Sequence, residues 1–198
     1  GARIRGDWMG NKIGAPERIE TQRLLMRQFE ERDLDGFAAI CGDAEVRRYM
    51  ANGRAMNRQD AWRAMASALG HWRLRGFGMY AVELGATGEL VGRIGFLQPE
   101  GWPGCELGWM LALPHWGRGL ALEGASAALA IAFEALGQSE VISLIHVENA
   151  RSARLAERLR GAPQEGTRLY RADVAKVGQN AVYSAEDVTE AIAGRASV

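Results

Sequence analysis

The stretch with the clearest chemical content runs from Leu111 to Gly124 and reads Leu-Ala-Leu-Pro-His-Trp-Gly-Arg-Gly-Leu-Ala-Leu-Glu-Gly. A strand-like run stops at Pro114, a glycine turn follows, and an alanine-rich helix pattern begins. The first turn of a helix carries four backbone N–H groups without intrahelical partners, and the positive end of the helix dipole lies beside them. Such a junction can hold an anion, a phosphate above all. Gly117 and Gly119 leave room for close approach, and Arg118 adds a cation. A tight connection without any ligand would use the same glycines. A nucleotide P-loop does not fit, because Leu120-Ala121 stands where its Lys-Ser/Thr pair belongs. A dinucleotide fingerprint fits poorly, since counting from Gly117 puts Leu122 at its last glycine.

Other candidate groups lie on either side. Glu106 sits in a strand pattern in which Cys105, Leu107, Trp109, Leu111 and Leu113 share one face, and Glu106, Gly108, Met110 and Ala112 the other. Asn149 reads as the N-cap of a helix. In that helix Ser152, Leu155 and Leu159 form one stripe and Arg151, Arg154 and Arg158 another. Trp62, Trp72, Phe77, Trp102 and Trp109 are either core residues or the walls of a binding groove, with Trp102 the best groove candidate. His71, His115 and His146 are scattered without ligand spacing, and His115 reads as a turn residue, or else as a contact for a ligand at the neighbouring glycine loop. Cys41 and Cys105 are alone, so neither a metal site nor a disulfide framework is expected.

These groups need a framework. The chain has 198 residues, 47% of them hydrophobic, with 24 basic and 24 acidic side chains. That is enough for a sizeable core, and the composition excludes disordered, collagen-like and coiled-coil classes. Balanced charge argues against a dedicated nucleic-acid binder. The longest apolar stretch, Leu120 to Leu136, is interrupted by Glu123, Ser126 and Glu134, so no membrane span is expected. Residues 1–18 read as an N-terminal arm or leftover leader, without a signal-peptide core, and a cytoplasmic location is expected.

From residue 19 to 198 strand and helix patterns alternate as one domain. Thr21 to Phe29 reads as a strand. A helix opens at Asp33 with Leu34, Phe37, Ala38 and Cys41 inward, and Asn57 caps a second with Trp62, Met65, Leu69 and Trp72 inward. Met79 to Leu84 and Leu90 to Leu97 form a hairpin around Gly85–Gly88, and Cys105 to Leu113 forms a third middle strand. The long helix runs to about Leu136, Val141 to Val147 is a buried strand, and the Asn149 helix ends near Gly161. Thr167 to Ala172 and Asn180 to Ser184 read as a closing hairpin, which could support a homodimer. The order is β-α-α-β-β-β-α-β-α-β-β, a mixed α/β (α+β) class.

Four segments in order carry a family resemblance over residues 19–185. Trp116-Gly117-Arg118-Gly119-Leu120-Ala121 resembles the acetyl-coenzyme A loop of the GNAT superfamily of N-acetyltransferases, whose pattern is Arg/Gln-x-x-Gly-x-Gly/Ala. Trp116 departs at the first position. That departure, with Glu123-Gly124 downstream, is similar to the subgroup of ribosomal-protein N-terminal acetyltransferases. Asn149 to Gly161 resembles the family's Asn-x-x-Ser helix. Glu20-Thr21-Gln22-Arg23-Leu24 and Leu90-Val91-Gly92-Arg93-Ile94-Gly95 resemble the subgroup's opening and middle-strand phrases.

The resemblance implies a single GNAT-like domain with a central, mostly antiparallel sheet flanked by helices. It implies transfer of an acetyl group from acetyl-coenzyme A, the co-substrate, to an amine without a metal. A protein or peptide N-terminus is the first acceptor, with a small-molecule amine, or a coenzyme A-binding protein without catalysis, as alternatives. Neither nucleic acid nor membrane is implied as a partner.

The resemblance also places the pantetheine arm along Met110, Leu111 and Leu113, and the pyrophosphate on the N–H groups of Trp116, Gly117, Arg118, Gly119, Leu120 and Ala121. Asn149 would bond the arm, and Ser152 would face the sulfur. Glu106 matches a glutamate common on this strand of the subgroup and is the candidate base for the amine. Ala156 stands where many relatives place a tyrosine acid, which shifts the proton source for the thiolate toward Ser152 or water. The arginine stripe is either solvated or a contact for the coenzyme's 3′-phosphate or an acidic substrate.

Overall fold

The computed structural model describes residues 14–102, 104–146, 148–160 and 171–173. Its strands are β1 (Arg18–Glu20), β2 (Leu24–Arg27), β3 (Met79–Leu84), β4 (Leu90–Leu97), β5 (Glu106–Leu111), β6 (Ser143–Ile145) and β7 (Arg171–Asp173). Its α-helices are α1 (Leu34–Gly42), α2 (Ala44–Arg47), α3 (Arg58–Arg75), α4 (Leu120–Glu134) and α5 (Ala150–Arg160).

Strands β1 to β5 form one antiparallel sheet in chain order, and β6 and β7 pair in parallel as a second. Helix α4 packs on one face of the larger sheet. There Leu24, Met26, Tyr80, Val82, Ile94, Phe96 and Leu107 bury against Leu120, Ala125, Ala128 and Leu129. Helices α1 to α3 cover the other face, with Phe29, Phe37, Cys41, Met65, Met79, Ala81 and Met110 in a second core. The alternation read along β5 is therefore real, with Leu107 and Leu111 in one core and Met110 in the other.

Several expected boundaries move, each for a local reason. The strand expected over Thr21–Phe29 shrinks to β2, and residues 21–23 form the turn that joins it to β1, because Thr21 both donates its N–H to the Leu24 carbonyl at 2.9 Å and accepts the Leu24 N–H on its hydroxyl at 3.0 Å. Asn57 does cap α3, accepting the Asp60 N–H at 2.8 Å. The inward stripe of α3 is Ala61, Met65, Ala68 and Trp72, however, leaving Trp62 49% and Leu69 38% exposed. Small alanines let the helix lie close to its neighbours, so the bulkier pair faces out. The third middle strand stops at Leu111, not Leu113. Pro114 lies in a 3-10 turn over Leu113–His115, and Leu113 is 42% exposed there.

Helix α2 was not foreseen; Asp43 caps it, accepting the Glu45 and Val46 N–H groups. Ahead of Ile19, the Ala15 N–H donates to Gly76 and the Tyr80 hydroxyl to the Pro16 carbonyl. Residues 1–13, Gly161, positions 167–170 of the expected first hairpin arm and the whole second arm lie outside the described residues. Among those described, no helix is long and apolar enough to cross a membrane.

Candidate active site

Strands β5 and β6 meet at one end and part at the other. At the closed end the Leu107 N–H donates to Ile142 at 2.8 Å, the Ile142 N–H to Cys105 at 2.9 Å, and the Ser143 hydroxyl to the Leu107 carbonyl at 2.8 Å. Beyond Leu107 no backbone hydrogen bond joins the two strands among the described residues. A cleft of about 570 Å³ opens there. Its walls are the edge of β5 (Trp109, Met110, Leu111), the start of α4 with its preceding loop, and the start of α5. An exposed strand edge can accept an extended ligand through main-chain hydrogen bonds.

The far end of the cleft is built for an anion. Gly119 is the N-cap of α4, at φ 76°, and provides no side-chain cap. The first N–H groups of a helix of 15 residues are thus left to a ligand. Gly117 has φ 73°, and both glycines stand where a side chain would strain the turn. Gly117, Gly119, Leu120 and Ala121 line the cleft, as does Trp116. The Trp116 indole N–H donates to the Leu111 carbonyl at 2.7 Å, and the Arg151 guanidinium stacks on its ring 3.8 Å from the centroid. That stack joins the two banks of the cleft.

Arg118 and Leu113 do not line the cleft. The Arg118 guanidinium donates to Nδ1 of His115 at 3.0 Å, and His115 Nε2 lies 3.0 Å from Glu89. Arginine can only donate, so Nδ1 is the acceptor and Nε2 carries the hydrogen toward Glu89. His115 is buried and lines the cleft, a more specific place than the turn position read for it. The other histidines are framework residues: His71 links Phe77 to Gln98, and His146 stacks against Tyr49.

On the opposite bank, Asn149 accepts the Ser152 N–H at 3.1 Å and so caps α5. Ser152 accepts the Trp109 indole N–H at 3.2 Å, which leaves the hydroxyl hydrogen for a further partner. Both residues line the cleft, together with Arg151, Arg154 and Arg158, so the arginine stripe borders the cleft. Ala156 is buried and does not line it. Tyr49 does, from the segment after α2. No sequence signal pointed to Tyr49, because the fold alone brings it there.

Glu106 lies at the closed end of the split, outside the cleft lining. It shares a face with Met110, four residues on, which is about 13 Å along a strand. The Trp102 indole donates to it at 3.0 Å, so Trp102 serves the carboxylate, and of the five aromatics read as groove candidates Trp109 lines the cleft. Burial pushes the Glu106 pKa up to about 7, against the opposing pull of the Trp102 and Leu144 N–H groups and the charge of Arg93.

The family described as Acetyltransferase (GNAT) domain matches residues 23–161. An uncharacterized N-acetyltransferase of Bacillus subtilis, YoaA, is 30% identical over 151 residues, which covers 75% of this chain and 84% of that protein. The crystal structure of an acetyltransferase from Agrobacterium tumefaciens is 28% identical with a TM-score of 0.65, over 79% of this chain and 87% of that one. RimL, a ribosomal L7/L12 alpha-N-protein acetyltransferase solved with coenzyme A, shares the fold at a TM-score of 0.63 and 14% identity, over 72% of this chain and 82% of that one. With the family match running from the β1–β2 turn to the end of α5, the chain belongs to the GNAT acetyltransferases, enzymes that take an acetyl group from an acyl-coenzyme A.

Proposed function

We propose that the chain acetylates a primary amine, a protein or peptide N-terminus, with acetyl-coenzyme A bound in the β5–β6 cleft. One observation carries the reading: an unpaired strand edge leads to a helix N-terminus that has no side-chain cap. A pantetheine amide arm suits the first feature and a pyrophosphate the second. The RimL structure, which holds coenzyme A on the same fold, supports the occupant. The N-terminal acceptor rests on the subgroup motifs around Thr21, Arg23 and Trp116.

In this reading the edge-facing backbone of Leu111 pairs with the arm, Met110, whose own backbone faces β4, lines its path, and the amide of Asn149 donates to it. The N–H groups of Gly117, Gly119, Leu120 and Ala121 hold the pyrophosphate. Bound acetyl-coenzyme A supplies an activated acyl carbon with a thiolate leaving group. Glu106 accepts the proton released as the amine nitrogen bonds to that carbon, and its place outside the cleft makes water the carrier. Ser152 offers its hydroxyl hydrogen to the sulfur as the carbon–sulfur bond breaks. Positioning supplies much of the rate.

The test is acetyl transfer from acetyl-coenzyme A to a panel of peptides with free or blocked N-termini, with polyamines and aminoglycosides alongside. Transfer to free N-termini only is expected. Transfer confined to small amines would overturn the acceptor assignment, and no transfer or coenzyme A binding would overturn the site.

A further inference from the structure

The anion-binding loop is held from behind by a residue 95 positions earlier in the chain. Arg23, in the β1–β2 turn, donates its Nη1 to the Arg118 carbonyl at 2.9 Å and its Nε to Glu123 Oε2 at 2.6 Å. Its backbone N–H donates to Glu123 Oε1 at 2.8 Å, and the Thr21 hydroxyl to the same oxygen at 2.6 Å. Glu123 lies in the first turn of α4. The turn after β1 is thus clasped to the start of the coenzyme helix through one carboxylate and one carbonyl.

Two consequences follow from elementary geometry and charge. A trans peptide points its C=O and the next N–H in opposite directions. Holding the Arg118 carbonyl toward Arg23 therefore turns the Gly119 N–H to the other side. Gly119 lines the cleft and Arg23 does not, so that other side is the cleft side. Secondly, a carboxylate in the first turn of α4 suits the helix dipole but repels a phosphate bound at the same end. Arg23 lies against Glu123 and offsets that charge. Burial alone would push the Glu123 carboxyl up, yet the Thr21 and Arg23 donors hold it below its ordinary range, as expected of a clasp closed at neutral pH.

We propose that Arg23, with Glu123 and Thr21, is the positioning device of the coenzyme loop. It sets the direction of the Gly119 N–H and offsets the Glu123 carboxylate in the first turn of α4, without touching the coenzyme. The inference rests on the assignment of the cleft to acetyl-coenzyme A.

The experiment measures coenzyme A binding by calorimetry, the KM for S-acetylpantetheine, which has no pyrophosphate, and the unfolding temperature. The proteins are wild type, Arg23→Ala, Arg23→Lys and Glu123→Gln. Lysine can keep one ion pair with Glu123 but cannot reach the Arg118 carbonyl as well. Loss of a charge-assisted hydrogen bond that orders the loop predicts coenzyme A binding about 10- to 100-fold weaker in Arg23→Ala and Arg23→Lys. The KM for S-acetylpantetheine should stay within about twofold, and Arg23→Lys should unfold near the wild-type temperature.

Glu123→Gln decides between positioning and direct contact. Removal of a negative charge near a phosphate should tighten binding if Arg23 merely touches the ligand, and should weaken it if the clasp orients the loop. The proposal is overturned if Arg23→Lys binds coenzyme A like wild type, if Glu123→Gln binds as well or better, or if S-acetylpantetheine suffers as much as coenzyme A. Failure of wild type itself to bind coenzyme A would instead overturn the cleft assignment, and the proposal with it.

Discussion

The Trp109 indole N–H donates to the Ser152 hydroxyl across the cleft at 3.2 Å, joining the strand edge of one bank to the helix start of the other. Because the indole is only a donor, Ser152 must accept, and its own hydrogen is free to point at a third atom. Ser152→Ala is expected to lower kcat for acetyl transfer by about 10-fold, the value of one hydrogen bond to a developing charge. The KM for acetyl-coenzyme A should change little. Trp109→Phe, which leaves the hydroxyl unanchored, should give a smaller fall in kcat. Steady-state kinetics of both variants check this, and an unchanged kcat in Ser152→Ala removes the serine from the chemistry.

Gly119 has open space where a side chain would go: an added Cβ meets only the Arg23 guanidinium, at 3.5 Å. Its φ of 76° is the constraint. Gly119→Val should therefore cost about 1–3 kcal/mol in backbone strain or force the turn into another shape. Gly119→Asn, a residue that tolerates the left-handed region, should be milder. Coenzyme A affinity measured on both folded variants is expected to fall in the order glycine, asparagine, valine. Equal affinities would show that the turn's shape does not govern phosphate binding.

What the sequence made legible was governed by local rules. Asn57 and Asn149 cap helices because a short polar side chain before a helix has few other uses, and Gly119 ends its turn because only glycine is at ease there. The alternation along β5 was readable because its two faces meet two cores. On helix α3 Met65 and Trp72 face inward as expected, but periodicity gives no sign that Ala61 and Ala68, rather than the adjacent Trp62 and Leu69, complete the stripe. Thr21 and Arg23 were visible as a motif, but their partner Glu123 is about a hundred residues on. Tyr49, the His115–Glu89 contact and the position of Glu106 outside the cleft are tertiary in the same sense.

A buried ion network behind β2 makes a prediction about acid stability. Arg27 donates to both oxygens of Asp33, at 2.7 and 2.8 Å, and also to Glu83. Burial would raise the Asp33 pKa, but Arg27 and the Glu30 N–H hold it below the usual carboxylate range. A depressed native pKa contributes stability above the unfolded value, near 4, and that stability is lost as pH falls through the native one. Asp33→Asn should cost about 3 kcal/mol at neutral pH, because it breaks a buried ion pair and leaves Arg27 only Glu83, the Gln28 carbonyl and a long contact to Glu30. The gap between variant and wild type should narrow as the pH is lowered below about 4. Urea unfolding at a series of pH values measures it; a gap independent of pH would place the cost in packing instead.

Glu106 should link activity and stability with opposite signs. Its carboxyl, pushed up to about 7 by burial, must be ionised to take a proton. The wild-type rate should therefore rise as pH passes through about 7. Glu106→Gln keeps the shape and the acceptor for the Trp102 indole but has no basicity. It is expected to lower kcat about 10²- to 10⁴-fold and to abolish that limb of the profile, leaving only the rise from deprotonation of the amine. Stability runs the other way. A carboxyl whose native pKa is raised binds its proton more tightly folded than unfolded, so its stabilising contribution is complete below the unfolded pKa and is lost as pH rises through the native one. Above pH 7 the wild type carries a poorly solvated charge that the glutamine variant lacks. Glu106→Gln should therefore unfold at a higher temperature than wild type at pH 8.5, by about 2–4 °C for each 1 kcal/mol relieved, and at nearly the same temperature at about pH 4, where the unfolded carboxyl is protonated too. Thermal unfolding and initial rates on the same two proteins test both halves. A variant that is slower but no more stable at high pH would mean that water and Arg93 already solvate the carboxylate, and a variant with normal turnover would remove Glu106 from the proton path.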